Sequence, residues 1–345
     1  MSLKTASFEP SAPELRDPPA TRPAPSAGET WRLAAVQEIN RHRGELLAPA
    51  RFLRPSLDYV LELEGKRLRP LLLLCFANLG ESELKPRDNE YRAAAAIELL
   101  HEASLVHDDI LDNSTVRRNR ASVGEQFNVR TATHAGGYIT SICLATLAEC
   151  DRDIGETLGA SLKDLVCAQL MEELPHPSSI QAHQQRSIDI MAGKTGSLFD
   201  MAIQIGLHLN KHNKSRHIPV ELAIRFSRHF SLGFQMRDDL ADLENDASIR
   251  KPGGNDLVQG NPTWPFLMWA QKKGDYQYAW ARLAAAKGNQ EKAQQLQDDI
   301  ISTDTARDVR NKITEELESA KDNLRRTPPG PAQDFILGIV EKLQP

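Results

Sequence analysis

Residues 91–112 read YRAAAAIELLHEASLVHDDILD, a stretch rich in Ala, Leu and Glu and unbroken by glycine or proline. Such residues lose little on entering a helix, and nothing in the run alternates as a half-buried strand would. It reads as a long helix. The same texture recurs at about Ala135–Glu149, Ser161–Glu173, Gln184–Asn210, Val220–Asp242, Thr263–Lys272, Tyr276–Ala286, Gln290–Ile301, Thr305–Arg325 and Ala332–Leu343. Upstream, Trp31, Ala34, Ala35 and Ile39 give one apolar face, and Pro70 sits where a first helical residue belongs, ahead of Leu71–Asn78. Short Val/Ile/Thr runs with strict alternation are missing, so no sheet is indicated, and no 20–50-residue period argues for a solenoid. The expectation is an all-α fold, one domain of ten or more helices over 29–345, with chemically distinctive loops at Gly65–Arg69, Asn113–Ser122 and Ile249–Pro262.

Residues 1–28 hold six prolines among Ala, Ser and charged residues, too little apolar surface to offset ordering entropy, and read as a disordered arm. Over 345 residues the net charge is only −5, so no global field points to nucleic acid or a membrane surface. Cys75, Cys143, Cys150 and Cys167 form no C-x-x-C pair and read as small buried apolar residues. The longest apolar run, Leu71–Leu79, falls short of the roughly 20 residues a span needs. No basic-then-apolar leader opens the sequence, so a cytoplasmic protein without a transmembrane segment is expected.

The chemistry gathers at two acidic clusters. In a helix, i and i+4 share a face, so Asp108 and Asp112 point the same way, with Asp109 offset by about 100°. Three carboxylates in one turn repel unless cations or water neutralise them. Alone, an Asp-Asp-x-x-Asp is equally a solvated acidic face. This one follows the apolar stretch Leu99–Val106, and a second, Asp238-Asp239-x-x-Asp242, follows another apolar helix, Ala223–Met236. Both are accompanied by basic residues. All-oxygen ligands suit Mg²⁺, commonly shared with substrate phosphates. Two facing clusters would clamp a diphosphate through bridging metal ions, which would stabilise the charge developing as it departs.

Several further residues carry a nameable likeness: Gly65-Lys66-Arg67-Leu68-Arg69-Pro70, Leu100-His101, Val106-His107 ahead of the first cluster, Arg117-Arg118, Gly193-Lys194-Thr195, Phe234-Gln235 ahead of the second, and Lys251-Pro252 with Gly254, Asp256, Gly260 and Thr263. Together, and in this order, they closely resemble the trans-polyprenyl synthetase family, geranylgeranyl or longer-chain type. The resemblance implies an isoprenoid synthase-type bundle around a central cavity, a homodimer, and chain elongation of an allylic diphosphate by isopentenyl diphosphate. It implies three Mg²⁺ held by Asp108, Asp109, Asp112, Asp238, Asp239 and Asp242. It implies that Lys66, Arg69, His101 and Arg118 bind isopentenyl diphosphate, while Arg117, Lys194, Thr195, Gln235 and Lys251 hold the allylic substrate. The residues themselves agree: Lys66 and Arg69 precede a helix N-terminus, and the Arg117 and Arg118 forks start about one turn past Asp112, where both meet the phosphates. Taken singly, the Lys/Arg pairs read as solvated surface, His101 as a satisfied structural histidine and Lys194-Thr195 as ordinary helix.

The mechanism implied is ionisation, condensation and elimination, with released diphosphate taking the proton. Asp108, Asp109, Asp112, Lys194, Thr195, Gln235 and Asp238 are the catalytic candidates. Three positions depart from the family pattern: Asn119 for the Gly after the arginine pair, Gly136-Gly137 for Gly-Asp, and Asn261 for a Lys. Ala103 and Ser104, five and four residues before Asp108, are small. An aromatic plug there would stop growth early, so a product of C20 or longer is expected, with the floor near Leu100, Tyr138 or Ile142. Rival readings are a class I terpene cyclase, which normally pairs its aspartate-rich helix with an Asn/Ser/Glu motif, a squalene-type synthase with more widely spaced aspartates, and a non-catalytic regulatory subunit of a heteromeric synthase. The second cluster is Asp-rich and the ligand set entire, against all three.

Overall fold

The structure is a computed structural model, described over residues 27–63, 65–150, 154–211, 218–244 and 255–345. Its described helices are α1 (Ala27–Leu47), α2 (Arg54–Leu61), α3 (Leu68–Ala77), α4 (Asp88–Leu111), α5 (Val123–Gln126), α6 (Val129–Cys150), α7 (Ile154–Glu173) and α8 (Ile180–Met191), followed by α9 (Ser197–Lys211), α10 (Val220–Leu243), α11 (Asn255–Gln259), α12 (Trp264–Lys273), α13 (Tyr276–Ala286), α14 (Gln290–Ile301), α15 (Thr305–Arg325) and α16 (Pro331–Glu341). The all-α expectation holds, with one exception among the described residues. Val116–Arg117 (β1) and Arg120–Ala121 (β2) pair antiparallel, Val116 opposite Ala121. A ribbon of two residues a side is too short to show alternation in sequence.

α3 lies at the centre. Every residue from Pro70 to Ala77 is buried, as expected of a helix apolar all round. Leu72, Cys75 and Phe76 join a core built with α10, α12 and α13 to α16, whereas Leu71, Leu73 and Leu74 join a second core with α1, α4 and α6. α9 serves both. Gly206 allows that packing, since a Cβ there would stand 2.6 Å from the Leu73 carbonyl oxygen. At the end of α3, Asn210 Nδ2 donates to the carbonyls of Ala77 (2.9 Å) and Leu79 (3.2 Å), satisfying buried acceptors that the helix leaves open.

Several boundaries differ from the sequence reading. Ala27 and Gly28, expected in the disordered arm, open α1; the rest of that arm, residues 1–26, lies outside the described residues. The buried stripe of α1 is Ala35, Ile39, His42 and Arg43, and Ala34 faces outward. α3 begins at Leu68, so Pro70 is its third residue and Arg69 is inside the helix; prolines are tolerated there because first-turn N–H groups have no helical partner. The expected helix 184–210 is two helices joined through a π-helical turn, Ala192–Gly196. Of the cysteines, Cys75 and Cys143 are buried as expected, but Cys150 is half-buried and Cys167 exposed. No helix among the described residues is long and apolar enough to cross a membrane.

Candidate active site

The two acidic clusters sit at the C-terminal ends of α4 and α10, each 24 residues long. A helix C-terminus carries partial negative charge, so both clusters stand where carboxylates are least welcome. Asp112 caps α4 and is exposed, Asp108 is half-buried and Asp109 is buried. Burial pushes the Asp108 carboxyl up, against the pull of Lys194 and with the push of Asp112. On α10, burial pushes Asp238 up, against Lys66, and Asp239 up to about 7, with Asp256 adding to the effect. Carboxylates so placed call for a cation. All are hard oxygen donors, so the residues fit Mg²⁺.

The second cluster has an additional structural duty. Asp239 Oδ1 accepts from Gln235 Nε2 at 2.9 Å, and its Oδ2 accepts from the Trp264 backbone N–H at 3.0 Å, at the start of α12. Asp242 Oδ2 accepts from the Asp256 backbone N–H at 3.3 Å, in the first turn of α11. Two carboxylates at the negative end of α10 thus meet the positive ends of α11 and α12. Among the described residues, no group of three acidic, His or Cys side chains is gathered as a metal-binding set.

A cleft of ≈1090 Å³ brings the two helix ends together: Leu111 and Asp112 from α4, Gln235 and Asp239 from α10, with Glu172, Lys194, Thr195, Asp256 and Asn261 around them. Lys194 and Thr195 project from the π-turn. Gly193 explains why a glycine stands there, since a Cβ would fall 2.4 Å from Ala168 Cβ on α7. Lys194 Nζ donates to Glu172 Oε2 at 2.6 Å, and Thr195 Oγ1 donates to Gln235 Oε1 at 2.7 Å. Glu172 escaped the sequence reading. It belongs to no motif, and its partner is 22 residues away.

Arg117 and Arg118 part company. Arg118 and Asn119 both have positive φ, 51° and 61°, forming the tight turn between β1 and β2. Arg117 turns back to Asp109, with Nη2–Oδ1 at 2.5 Å and Nε–Oδ1 at 2.9 Å. Arg118 instead lies in the field of Glu98, Glu102 and Arg67. The expectation that both forks meet the same phosphates is therefore corrected. The turn also accommodates the Asn119 departure, because Asn is among the few residues that tolerate the left-handed region. Gly137 has nothing within 4 Å of an added Cβ, whereas Gly136 admits His107, whose Nε2 would be 2.4 Å from one.

A second, basic recess lies beside the cleft. Arg69 stacks on Phe199 with its guanidinium 4.5 Å from the ring centroid, and Lys66 Nζ stands 5.7 Å from that of Phe234. Arg69 is pushed down to about 10 by burial, against the pull of Glu98 and Asp238. His101 is held well below its ordinary value by burial and by Arg69, Arg118, Arg117 and Arg67. Arg69 Nε and His101 Nδ1 are buried without a hydrogen-bond partner. Gly65 lets the guanidiniums converge, since a Cβ there would meet Arg118 Nη1 at 3.2 Å and Arg67 Nη1 at 3.3 Å. Lys251 lies outside the described residues, with the rest of 249–254 at the start of the loop 249–262. Ala103 is buried in the second core, Ser104 Oγ donates to the His101 carbonyl at 2.7 Å, and neither lines the cleft.

Residues 50–303 match the family model described as polyprenyl synthetase. The chain is 29% identical over 289 residues to an all-trans-nonaprenyl-diphosphate synthase (geranyl-diphosphate specific) of Rhodobacter capsulatus, covering 81% of this chain and 85% of that protein. Among solved structures it superposes on a polyprenyl synthase from Caulobacter crescentus CB15, complexed with calcium and isoprenyl diphosphate, with a TM-score of 0.80, 20% identity and coverage of 91% and 95%. A heptaprenyl diphosphate synthase from Staphylococcus aureus superposes with a TM-score of 0.79, 20% identity and coverage of 91% and 98%.

Proposed function

We propose that this chain, which belongs to the polyprenyl synthetase family and is a trans-prenyltransferase, joins isopentenyl diphosphate to an allylic diphosphate and releases inorganic diphosphate, giving an all-trans polyprenyl diphosphate of C20 or longer. The observation that carries this reading is the division of charge at the site. Acidic helix ends border one cleft with Lys194, and a cation-rich recess with unpartnered buried nitrogens acts on Asp238 through Lys66 and Arg69.

Asp108, Asp109, Asp112, Asp238, Asp239 and Asp242 would hold Mg²⁺, three ions on the family's pattern, whose charge when bound favours departure of the allylic diphosphate. Lys194, Arg117 and Lys251 bind that diphosphate as it leaves. Lys66, Arg69, His101 and Arg118 bind the diphosphate of isopentenyl diphosphate and orient its alkene. The C–O bond of the allylic substrate breaks, the alkene carbon forms the new C–C bond, and the resulting cation loses a proton to the released diphosphate. Thr195 Oγ1 faces the cleft with lone pairs to spare, because it uses its proton on Gln235. It steadies positive charge without trapping it.

Small side chains at Ala103 and Ser104, and the nonaprenyl product named for a relative, support a long product. A homodimer fits the exposed apolar Val166, Leu170 and Leu174, spaced at four residues on and just beyond α7. The test is incubation with isopentenyl diphosphate, Mg²⁺ and each of the C5, C10 and C15 primers, followed by product sizing. Elongation past C15 is expected; no elongation from any primer would sink the reading and favour a regulatory subunit.

A further inference from the structure

Arg43 belongs to α1, outside every motif quoted above, yet it is only 1% exposed. A buried guanidinium is costly unless paired. Its Nη2 donates to both oxygens of Glu102, at 2.5 Å to Oε1, and its Nη1 donates to Asn40 Oδ1 at 2.9 Å. Glu102, on α4, is equally buried and shares Oε1 with Arg67 Nη1 at 2.8 Å. Arg67 Nη1 also reaches Glu98 Oε1 at 2.6 Å, while its Nη2 donates to the Leu63 carbonyl at 2.9 Å. A continuous network therefore runs from α1 through α4 to the residue before α3, which holds a strained φ of 54° between Lys66 and Arg69.

The charges explain why such a network is present. Three guanidiniums, those of Arg67, Arg69 and Arg118, surround two carboxylates, Glu98 and Glu102. Both carboxylates act on Arg67 and Arg118. Left alone, they would cancel half the positive charge that Lys66, Arg67, Arg69 and Arg118 bring to the recess. Arg43, from α1, bonds both oxygens of Glu102, so the recess keeps its surplus. Fold stability is a poor reason for the arrangement, since a buried ion pair is often no better than well-packed apolar residues of the same size. The α1–α4 contact already has Ala35, Ile39, Ala95 and Leu99 in one core.

We propose that Arg43 is a positioning residue for the isopentenyl diphosphate pocket: by holding and neutralising Glu102 it keeps Arg67 and Arg118 in register and leaves the recess net cationic. This rests on the assignment of Lys66, Arg69, His101 and Arg118 made above. Arg43 itself touches no substrate.

Steady-state kinetics of the full chain, with thermal melting alongside, separates the outcomes. Arg43→Met leaves Glu102 to draw on Arg67 and Arg118 alone and is expected to raise the KM for isopentenyl diphosphate about tenfold, with the KM for the allylic substrate unchanged within about twofold. Arg43→Met/Glu102→Gln removes both charges and is expected to restore the KM to within about threefold of wild type. A merely structural contact predicts otherwise: the double variant is as impaired as the single, or both KM values move together with the melting temperature. Either result overturns the proposal. Arg43→Lys keeps the charge but lacks the second donor that Asn40 Oδ1 anchors, and it carries the test if Arg43→Met does not fold. Its KM for isopentenyl diphosphate should rise about threefold, and an unchanged value overturns the proposal. Lys66→Gln is the control for the pocket. If it leaves that KM unchanged, the pocket assignment fails; if it raises KM and Arg43→Met does not, only the role of Arg43 fails.

Discussion

Thr195 and Gln235 are joined by a 2.7 Å hydrogen bond across 40 residues of sequence. The bond ties the π-turn to α10, and Gln235 passes it on to Asp239. Partners that orient a metal-binding carboxylate typically matter by about 10- to 100-fold in metal affinity or activity. Thr195→Val should therefore lower kcat/KM at least about tenfold and raise the Mg²⁺ concentration needed for half-maximal rate. If Thr195 acts through Gln235, Thr195→Val/Gln235→Leu will be no worse than Gln235→Leu alone. Additive losses in a Mg²⁺ titration would disprove the relay.

Asp112 lies at the negative end of α4, one turn after Asp108. Removing its charge relieves both repulsions. In metal-free buffer Asp112→Asn should be more stable than wild type by about 0.5 kcal/mol, the scale of a helix-terminus charge effect. It should also be nearly inactive. Added Mg²⁺ should raise the melting temperature of wild type by mass action, and chelation should reverse this. A variant that loses stability without metal would contradict the account of a site strained for cation binding.

Ala103 and Ser104 are adjacent but differ in surroundings. Ala103 is packed in the core, so Ala103→Phe should cost stability by overpacking, about 1–3 kcal/mol. Ser104 is half-buried, and Ser104→Phe should fold and shorten the product. Chromatography of the dephosphorylated products reads this directly. An unchanged distribution from Ser104→Phe would remove position 104 from chain-length control.

Asp200 on α9 is pushed up to about 6, chiefly by burial, from an ordinary 3.8, and its Oδ1 has no hydrogen-bond partner. A raised acid binds its proton more tightly in the native state. The stability this contributes is full below about pH 4 and is lost as pH rises through about 6. Asp200→Asn, which mimics the protonated form, should be neutral at pH 4 and stabilising by about 2 kcal/mol at pH 7.5. Urea melts at the two pH values decide it, and an equal effect at both would exclude the titration.

Legibility in the sequence followed the range of the interaction responsible. The long α4 and α10 were readable because helix propensity is local and neither stretch has a proline within it. The Gly65–Pro70 segment was readable as basic, but not the burial of Arg67 within it, because that depends on Glu98 and Glu102, 31 and 35 residues away. The π-turn was invisible for a similar reason: its glycine answers to α7, not to its own neighbours.

By itself the sequence determined that this protein is helical, that carboxylates come in two sets spaced for one helical face, and that cations accompany them. These follow from backbone periodicity and residue chemistry, which act within a few residues. Only the tertiary structure decided where those charges go. It sent Arg117 to Asp109 and Arg118 to the neighbouring basic recess through two successive positive-φ residues. It made Asp239 and Asp242 partners of α12 and α11, and it brought Arg43 across 59 residues to Glu102. A buried charge takes whatever counter-charge packing places beside it, and packing is a property of the whole chain.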